Sequence, residues 1–280
     1  DKSFLDYFES FAKKKKANEG TYGNWMSALK HLKNFIDSGI KVSEINEQWL
    51  EDFKNYLLTD VKTKDDKRLS VNSAASYFHK VLAVLKQASK VNIIDKNTWK
   101  DVERIEEMEV EREFLTLEEL KKVAEKDCEN LLLKRAFLFS ALTGLRFSDI
   151  ENLTWKQVQH SDETGYSINF RQVKTKKLVT LYISDEAFNL LGERRSGPSK
   201  VFQDLVYSDY NNQKLKDWIK DAGIEKKITF HSARHTYATL QLTLGTDIYT
   251  VSNLLGHKMD MPTKLTSLCR FKLTTPRRSA

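Results

Sequence analysis

The chain has 280 residues, 40% of them hydrophobic, so it is long enough for two domains that each bury a core without a metal or a disulfide framework. The sequence has two cysteines, Cys128 and Cys269, and no apolar run of membrane-spanning length, so we expect neither a disulfide framework nor a membrane-spanning helix. No apolar signal stretch stands at the start, so we expect no export. The net charge is +7, but residues 258–280 hold six basic side chains against one acidic, a net +5, which leaves +2 for residues 1–257. Total charge alone therefore does not argue for a nucleic-acid partner. We expect a cytoplasmic, mostly helical protein.

Four amphipathic helices are predicted in the first hundred residues, because apolar side chains recur there every three or four positions. Together they predict a small helical domain over residues 1–105. The apolar faces consist of Phe4, Leu5, Phe8 and Phe11; of Trp25, Leu29, Leu32 and Ile36 in a helix that begins at Thr21; of Trp49, Phe53, Tyr56 and Leu57; and of Tyr77, Val81, Val84 and Leu85 in a long helix after Ser70.

Residues 101–113 are highly charged and have weak periodicity, which predicts a linker, with residues 106–113 as its main part. An exposed helical extension is the alternative for this stretch. The second domain is predicted over residues 114–258, and residues 259–280 form a tail of different composition.

The second domain is predicted to be helical with a small antiparallel sheet, so the fold class is mainly α with a minor β part (α+β). Thr116 and Glu119 form a capping-box pattern that predicts a helix start. Alternation of apolar and polar residues predicts two strands, and the segment between them is polar and turn-like. The remaining elements are helices. The apolar strand positions are Tyr166, Ile168 and Phe170, then Val179, Leu181 and Ile183; helices are predicted through Leu120 and Val123, over residues 131–142, 212–222 and 231–243, after Ser184, and from Asp247 to Gly256.

Two basic positions in this domain are candidate functional residues. Arg146 follows Gly144, which ends an apolar helix, and taken alone this pattern is a helix-capping glycine before a solvated arginine. Lys174 lies between the predicted strands, and taken alone it is a charged hairpin tip. Asp149 is expected on the helical face of Arg146, either as the buttress of a site or as half of a local salt bridge.

Three histidines accompany a second arginine. His231 and Arg234 are spaced i, i+3, so they share a helical face and can act on one object. His231 and His235 are spaced i, i+4, which a zinc site can use, but the metalloprotease pattern needs a glutamate where this chain has Ser232. His257 follows a helix-ending glycine, and taken alone it is an exposed histidine.

Together, the order Arg, Lys, His-x-x-Arg, His resembles the active site of the tyrosine recombinase (phage integrase) family. The resemblance covers roughly residues 113–258, and the chain is similar in style to integrases of bacterial conjugative transposons. The first hundred residues resemble the family's helical SAM-like core-binding domain. The most specific segments are Thr143-Gly-Leu-Arg146, His231-Ser-Ala-Arg234-His-Thr and Leu254-Leu-Gly-His257.

The resemblance implies a site-specific DNA recombinase of a mobile element, which cleaves and rejoins strands by transesterification. Fixed cations stabilise the charge that develops on the phosphate oxygens. By resemblance, Arg146 and Arg234 clamp the phosphate, Lys174 protonates the leaving 5′-hydroxyl, His231 assists proton transfer at the nucleophile, and His257 hydrogen-bonds the phosphate. His235 and Thr236 support them. The resemblance implies no metal or other cofactor; the partner is double-stranded DNA at a recombination site, on which family members assemble as tetramers, and no membrane is involved.

The chain departs from the family at the nucleophile. The family's tyrosine would fall at Thr266, and no tyrosine follows Tyr249, which we expect to be packed within its helix. Thr266 and Ser267 are hydroxyls with ordinary, high pKa values, and Cys269 carries no sign of an activated thiol. Two hypotheses follow: a recombinase by descent that binds DNA without its nucleophile, or a catalytically inactive DNA-binding protein that occupies recombination sites. A helical protein-interaction domain without DNA is a third.

The tail itself suggests a shifted reading frame or a replaced terminus, because the helical pattern stops immediately after the His257 motif. Sequencing the coding DNA in all frames would test this by finding, or not finding, a helical continuation with a tyrosine. The chain starts without a methionine, which leaves open an arm-binding domain upstream of it. The lysines at 13–16, with Arg194 and Arg195, are candidate DNA-backbone contacts or solvated surface residues.

Overall fold

The computed structural model describes residues 2–16, 19–37, 39–63, 65–95 and 97–256. It divides the chain into two compact units, Asp1–Val110 and Glu111–Ala280. None of the helices within the described ranges is long and apolar enough to cross a membrane.

The first unit is helical, and the four predicted helices are present. Ser70 begins the longest of them, because its hydroxyl accepts a hydrogen bond from the Ser73 amide. The second helix begins two residues before the predicted Thr21, and a short fifth helix was not predicted. The helices are α1 (Phe4–Lys13), α2 (Glu19–Phe35), α3 (Glu47–Thr59), α4 (Val71–Lys90) and α5 (Asn97–Lys100).

Aromatic rings fill the space between these helices. Phe4, Phe8 and Phe53 are fully buried. Trp49 stacks on Phe53 with ring centroids 5.6 Å apart, and Phe35 contacts both rings. Each buried phenylalanine contributes on the order of 2 kcal/mol to folding, so the predicted apolar faces supply the core that holds this unit together.

The charged segment that follows begins inside the core of the first unit. Val102 and Ile105 are buried there. The Asn72 carboxamide then exchanges two hydrogen bonds with the backbone of Met108, at 2.7 and 2.9 Å. Residues 101–113 contain no helix, so the alternative of a helical extension is wrong.

The second unit contains seven α-helices among its described residues. The predicted capping box is present, with Thr116 Oγ1 accepting from the Glu119 amide and Glu119 accepting from the Thr116 amide. One helix begins three residues before the predicted start at 212, because Ser208 caps it. The helices are α6 (Leu117–Glu125), α7 (Leu131–Thr143), α8 (Phe147–Glu151), α9 (Asp185–Asn189), α10 (Asp209–Asp221), α11 (Phe230–Thr243) and α12 (Ile248–Leu254).

A three-stranded antiparallel sheet completes this unit, in the order β1 (Val158–Ser161), β2 (Gly165–Arg171), β3 (Leu178–Ile183). The predicted hairpin is β2–β3, and its turn carries Lys174. Ile168 pairs with Val158 on one side and Leu181 on the other, and all three are buried in the core. Strand β1 was not predicted, because only one of its four residues is buried.

Helix α12 is held on α11 by a small apolar cluster that is separate from the main core of the unit. Val251 and Leu255 pack there against Tyr237 and Ala238. Tyr249 lies off this buried face and is 64% exposed, so the expectation that it is packed is wrong.

Candidate active site

The end of α7 places the first arginine. Gly144 adopts a left-handed conformation with φ +71°, which ends the helix, and its amide still bonds to the Ser140 carbonyl at 2.8 Å. Arg146 then starts α8 from an extended backbone, with its side chain 15% exposed. Burial lowers the pKa of this guanidinium, and the charge of Asp149 opposes that effect.

Asp149 connects this arginine to the β2–β3 turn. Its carboxylate is completely buried. Oδ2 lies 3.9 Å from Arg146 Nη1, and Oδ1 accepts a hydrogen bond from the Val173 amide at 2.8 Å. The acid therefore forms the local ion pair and also holds the turn, as expected of a buttress. Arg146 Nη1 itself has no hydrogen-bond acceptor among residues 2–256 that the structure describes.

The second arginine, Arg234, joins two chain ends. It lies on α11 with 4% exposure. Nη1 donates to the Gly144 carbonyl at 2.6 Å, and Nη2 donates to the Leu255 carbonyl. Burial, followed by the neighbouring charge of Arg146, lowers the pKa of Arg234 to about 9, so the guanidinium remains charged at neutral pH.

The Leu255 carbonyl brings the two arginines together. Arg146 Nη2 also approaches this oxygen, at 3.5 Å. Leu255 follows the last residue of α12, where carbonyls lack intrahelical partners. Both guanidinium groups thus contact the same backbone oxygen, that of Leu255, which lies two residues before His257 in the sequence.

Lys174 is exposed on the turn between β2 and β3, and the residues before it anchor the turn. Gln172 is 2% exposed, and its side-chain oxygen accepts a hydrogen bond from the Thr175 hydroxyl. The Val173 amide is held by Asp149. The base of the turn is therefore fixed while the lysine faces solvent.

His231 lies at the start of α11, where the positive charges of Arg146, Lys174 and Arg234 all act on it. His231 is partly exposed to solvent, but the surrounding protein displaces part of its hydration, which lowers its pKa to about 4. The positive charges of Arg234, Arg112, Arg146 and Lys174 lower the pKa as well. The imidazole is therefore neutral at physiological pH and can accept a proton.

The predicted supporting residues lie on the same helix. The ring of His235 meets that of His231 edge-on at a centroid distance of 4.8 Å. Thr236 is fully buried and accepts a hydrogen bond from the Leu115 amide at 2.9 Å, which fixes the entry of the chain into this unit. In the described part of the chain, no three His, Cys, Asp or Glu side chains are grouped to hold a metal ion.

Four of the five predicted site residues, Arg146, Lys174, His231 and Arg234, are thus brought into one neighbourhood. The fifth, His257, lies outside the described residues. The nucleophile candidates Thr266, Ser267 and Cys269 lie outside the described residues as well.

The predicted DNA-backbone contacts differ in their surroundings. Arg194 donates to the Val158 carbonyl at 3.2 Å and lies over the Trp155 ring. Arg195 donates to Gln203 at 2.7 Å. The lysines at 13–16 are exposed at the end of α1. Contact of these residues with DNA stays a prediction.

Sequence reasoning missed two residues of this neighbourhood. Arg112 acts electrostatically on His231 although it lies in the stretch interpreted as a linker. Gln172 stood within the predicted turn, and its burial had no signal beyond its position directly after a strand.

Comparison with known proteins identifies the family. Residues 3–107 match the Phage integrase SAM-like domain, and residues 113–265 match the Phage integrase family, which is more than half of the chain. This chain belongs to the phage integrase family. The predicted family and fold class are confirmed, and the function of that family is tyrosine-type site-specific recombination, with DNA integration and DNA binding.

Individual relatives span most of the integrase. The integrase of Haemophilus phage HP1 is 28% identical over 249 residues, covering 85% of this chain and 68% of that protein. The ICEBs1 integrase of Bacillus subtilis is 27% identical over 259 residues, covering 81% and 67%. A lambda integrase (75–356) dimer bound to a COC′ core site has the same fold, with a TM-score of 0.75, 18% identity and coverage of 100% and 99%.

We predict that Gly144→Ala destabilises the integrase by about 3 kcal/mol, since a β-carbon adds left-handed backbone strain and a steric clash. An ideal Cβ at this position would lie 2.5 Å from the Tyr237 ring. Urea unfolding measures the loss. Gly165→Ala is the matched control, because Gly165 has the same φ of +71° but no atom within 4 Å of an ideal Cβ; equal losses in the two variants would contradict the close packing.

We predict that Arg112→Ala raises the pKa of His231, because it removes one of the positive charges that disfavour the imidazolium. An imidazole NMR titration measures the change, with Arg195→Ala as a control that leaves the pKa in place. An unchanged pKa of His231 in Arg112→Ala would contradict the electrostatic effect of Arg112 on this histidine.

The lowered pKa of His231 also makes stability depend on pH. Between the ordinary value of 6.5 and about 4, the unfolded imidazole binds a proton that the folded one does not. The free energy of unfolding therefore decreases as the pH falls through this window. His231→Gln should reduce that slope in urea unfolding at several pH values, and an identical slope would contradict the shift.

Proposed function

We propose that this integrase grips one scissile phosphate of a duplex DNA recombination site with Arg146, Lys174, His231 and Arg234, together with His257. The observation that carries the proposal is the meeting of both guanidinium groups at the Leu255 carbonyl, two residues before His257. Arginine is always charged and offers planar, paired donors that match phosphate oxygens.

Each residue has a role that suits its surroundings. When a hydroxyl nucleophile attacks the phosphorus and forms a new phosphorus–oxygen bond, the arginines stabilise the charge on the non-bridging oxygens while the bond from phosphorus to the leaving 5′-oxygen breaks. Lys174 donates the proton that the leaving 5′-oxygen needs, and its exposed turn lets it reach DNA. Neutral His231 accepts the proton of an attacking hydroxyl.

The nucleophile determines how far the reaction goes. The last of the ten tyrosines in the 280 residues is Tyr249, and none follows His257. We therefore propose that this chain binds and polarises the phosphate without forming a phosphotyrosyl link. A role as a regulator that occupies recombination sites is the second candidate, and the same absence favours it.

Relatives indicate the setting of this activity. The Tn1549 transposon integrase is named for a transposon, and lambda integrase forms a tetramer bound to a Holliday junction. We propose by analogy that this integrase serves a mobile element and assembles as a tetramer on DNA.

A binding and cleavage experiment tests the proposal. Duplexes selected from a random library by the integrase would provide its site, and a nicked version of that site would trap any covalent intermediate. We expect a mobility shift that weakens steeply with salt, and no covalent adduct. Absence of a shift would overturn the phosphate grip. An adduct would overturn the missing-nucleophile proposal, and peptide mapping would show whether Thr266, Ser267, Cys269 or another residue carries it.

A further inference from the structure

A buried glutamine stabilises the turn that carries Lys174. The Gln172 amide donates to the Lys177 carbonyl at 2.9 Å, and the Gln172 carbonyl accepts from the Lys176 amide at 2.9 Å. Its side-chain oxygen accepts from the Thr175 hydroxyl. Gln172 thus bonds to residues on the far side of Lys174 through both its backbone and its side chain.

The same carboxamide packs against the end of α12. Gly256 has φ +63°, and an ideal Cβ there would lie 2.6 Å from Gln172 Oε1, too close for any side chain without displacing the amide. Gly256 directly precedes His257 in the sequence. One buried side chain therefore contacts both the lysine-bearing turn and the chain that leads to the last predicted phosphate ligand.

We propose that Gln172 is a positioning residue that sets the Lys174 turn and the segment leading to His257 at a fixed spacing. The inference rests on the proposed roles of these two residues at the phosphate. Gln172 acts without contacting DNA. It positions Lys174 through the turn, and it positions the segment leading to His257 through Gly256. Loosening either contact should displace Lys174.

The first experiment measures the turn without DNA. Trypsin cleavage within residues 171–178 reports how often the turn opens. We expect Gln172→Ala to increase that cleavage rate about fivefold, the factor that corresponds to one net hydrogen bond. Thr175→Val should increase it at least as much, because it also removes the long bond from the Lys177 amide at 3.5 Å. Thr175→Ser should restore the wild-type rate because the hydroxyl is kept.

The same sheet offers a matched control. Asn169 accepts a hydrogen bond from Thr180 at 2.6 Å, a similar amide–hydroxyl pair that lies away from the turn. Asn169→Ala should leave cleavage of the turn near the wild-type rate. Equal cleavage in Thr175→Val and Asn169→Ala would overturn the role of Gln172 in the turn.

The second experiment tests the coupling to α12. In Gly256→Ala the new methyl group pushes against the side-chain carboxamide of Gln172. The variant should therefore accelerate trypsin cleavage at the β2–β3 turn, which is distant from Gly256 in the sequence. Gly245→Ala is the control, because Gly245 also has a positive φ, +90°, and lies just before α12, but no atom is within 4 Å of an ideal Cβ. If the two alanine variants cleave alike, the coupling is wrong.

The third experiment links the turn to DNA. Acylation of the Lys174 amine, followed by mass spectrometry, should slow when a random-sequence duplex is added to the wild type. We expect Thr175→Val to lose that protection while still shifting the duplex, and Thr175→Ser to retain it. Absence of protection in the wild type would contradict the proposed role of Lys174; protection retained in Thr175→Val would contradict the positioning role of Gln172 alone.

Discussion

Arg234→Ala should lower the free energy of unfolding of the integrase by about 4 kcal/mol, because it leaves the Gly144 carbonyl without this donor, leaves the Leu255 carbonyl with only the 3.5 Å contact to Arg146, and opens a cavity. Arg234 is 4% exposed and bonds to the carbonyls of Gly144 and Leu255. These bonds join the end of α7 to the end of α12. Urea unfolding, followed by circular dichroism, measures the loss.

A surface arginine provides the comparison for this result. Arg195 is exposed and bonds to the exposed side chain of Gln203, so Arg195→Ala should cost less than about 1 kcal/mol. Arg234→Lys should recover only part of the loss, since a single ammonium group does not reproduce the planar fork. Similar losses in Arg234→Ala and Arg195→Ala would show that Arg234 does not hold the two helix ends.

Asp149→Ala should also lower the free energy of unfolding strongly, by about 3 kcal/mol, because it leaves a buried guanidinium without its neighbouring charge and a backbone amide without its acceptor. The carboxylate is completely buried between Arg146 and the Val173 amide. Asp149→Asn keeps an oxygen for the amide and loses only the charge, so its cost should be smaller.

Hydrogen exchange at the Val173 amide separates the two functions of Asp149. In Asp149→Ala this amide should exchange faster than in the wild type, while in Asp149→Asn it should stay protected. Fast exchange in both variants would mean that the charge, and not the hydrogen bond at 2.8 Å, holds the turn.

Local hydrogen bonds and periodic burial explain which elements the sequence predicted well. The caps at Ser70, Thr116 and Asp247 each join residues two or three positions apart, so the signal lies within one short stretch. Strand β1 escaped prediction because Val158 is its only buried residue. Helix α8 was anticipated only through the placement of Asp149 on the helical face of Arg146, because five residues are too few to show a period.

The candidate site likewise has features that the sequence predicts and features that depend on the packing of distant segments. Arg146 and Arg234 were predicted from their order along the chain and the family resemblance, since phosphate chemistry demands those residue types. Their shared bond to the Leu255 carbonyl depends on how α12 packs on α11, and no local pattern encodes that packing. Tyr249 was expected to be packed because its helix is apolar. The prediction is wrong because only the face of that helix that carries Val251 is covered by the protein.

The most direct measurement of the phosphate grip is the titration of His231 in the free and DNA-bound integrase. Lost hydration, followed by the positive neighbours, holds the pKa of His231 at about 4 in the free protein. A phosphate among Arg146, Lys174 and Arg234 brings a negative charge beside the ring, so the pKa should rise towards 6.5 when a duplex binds. A pKa that stays at about 4 while the duplex is bound would contradict the convergence of these residues on one phosphate.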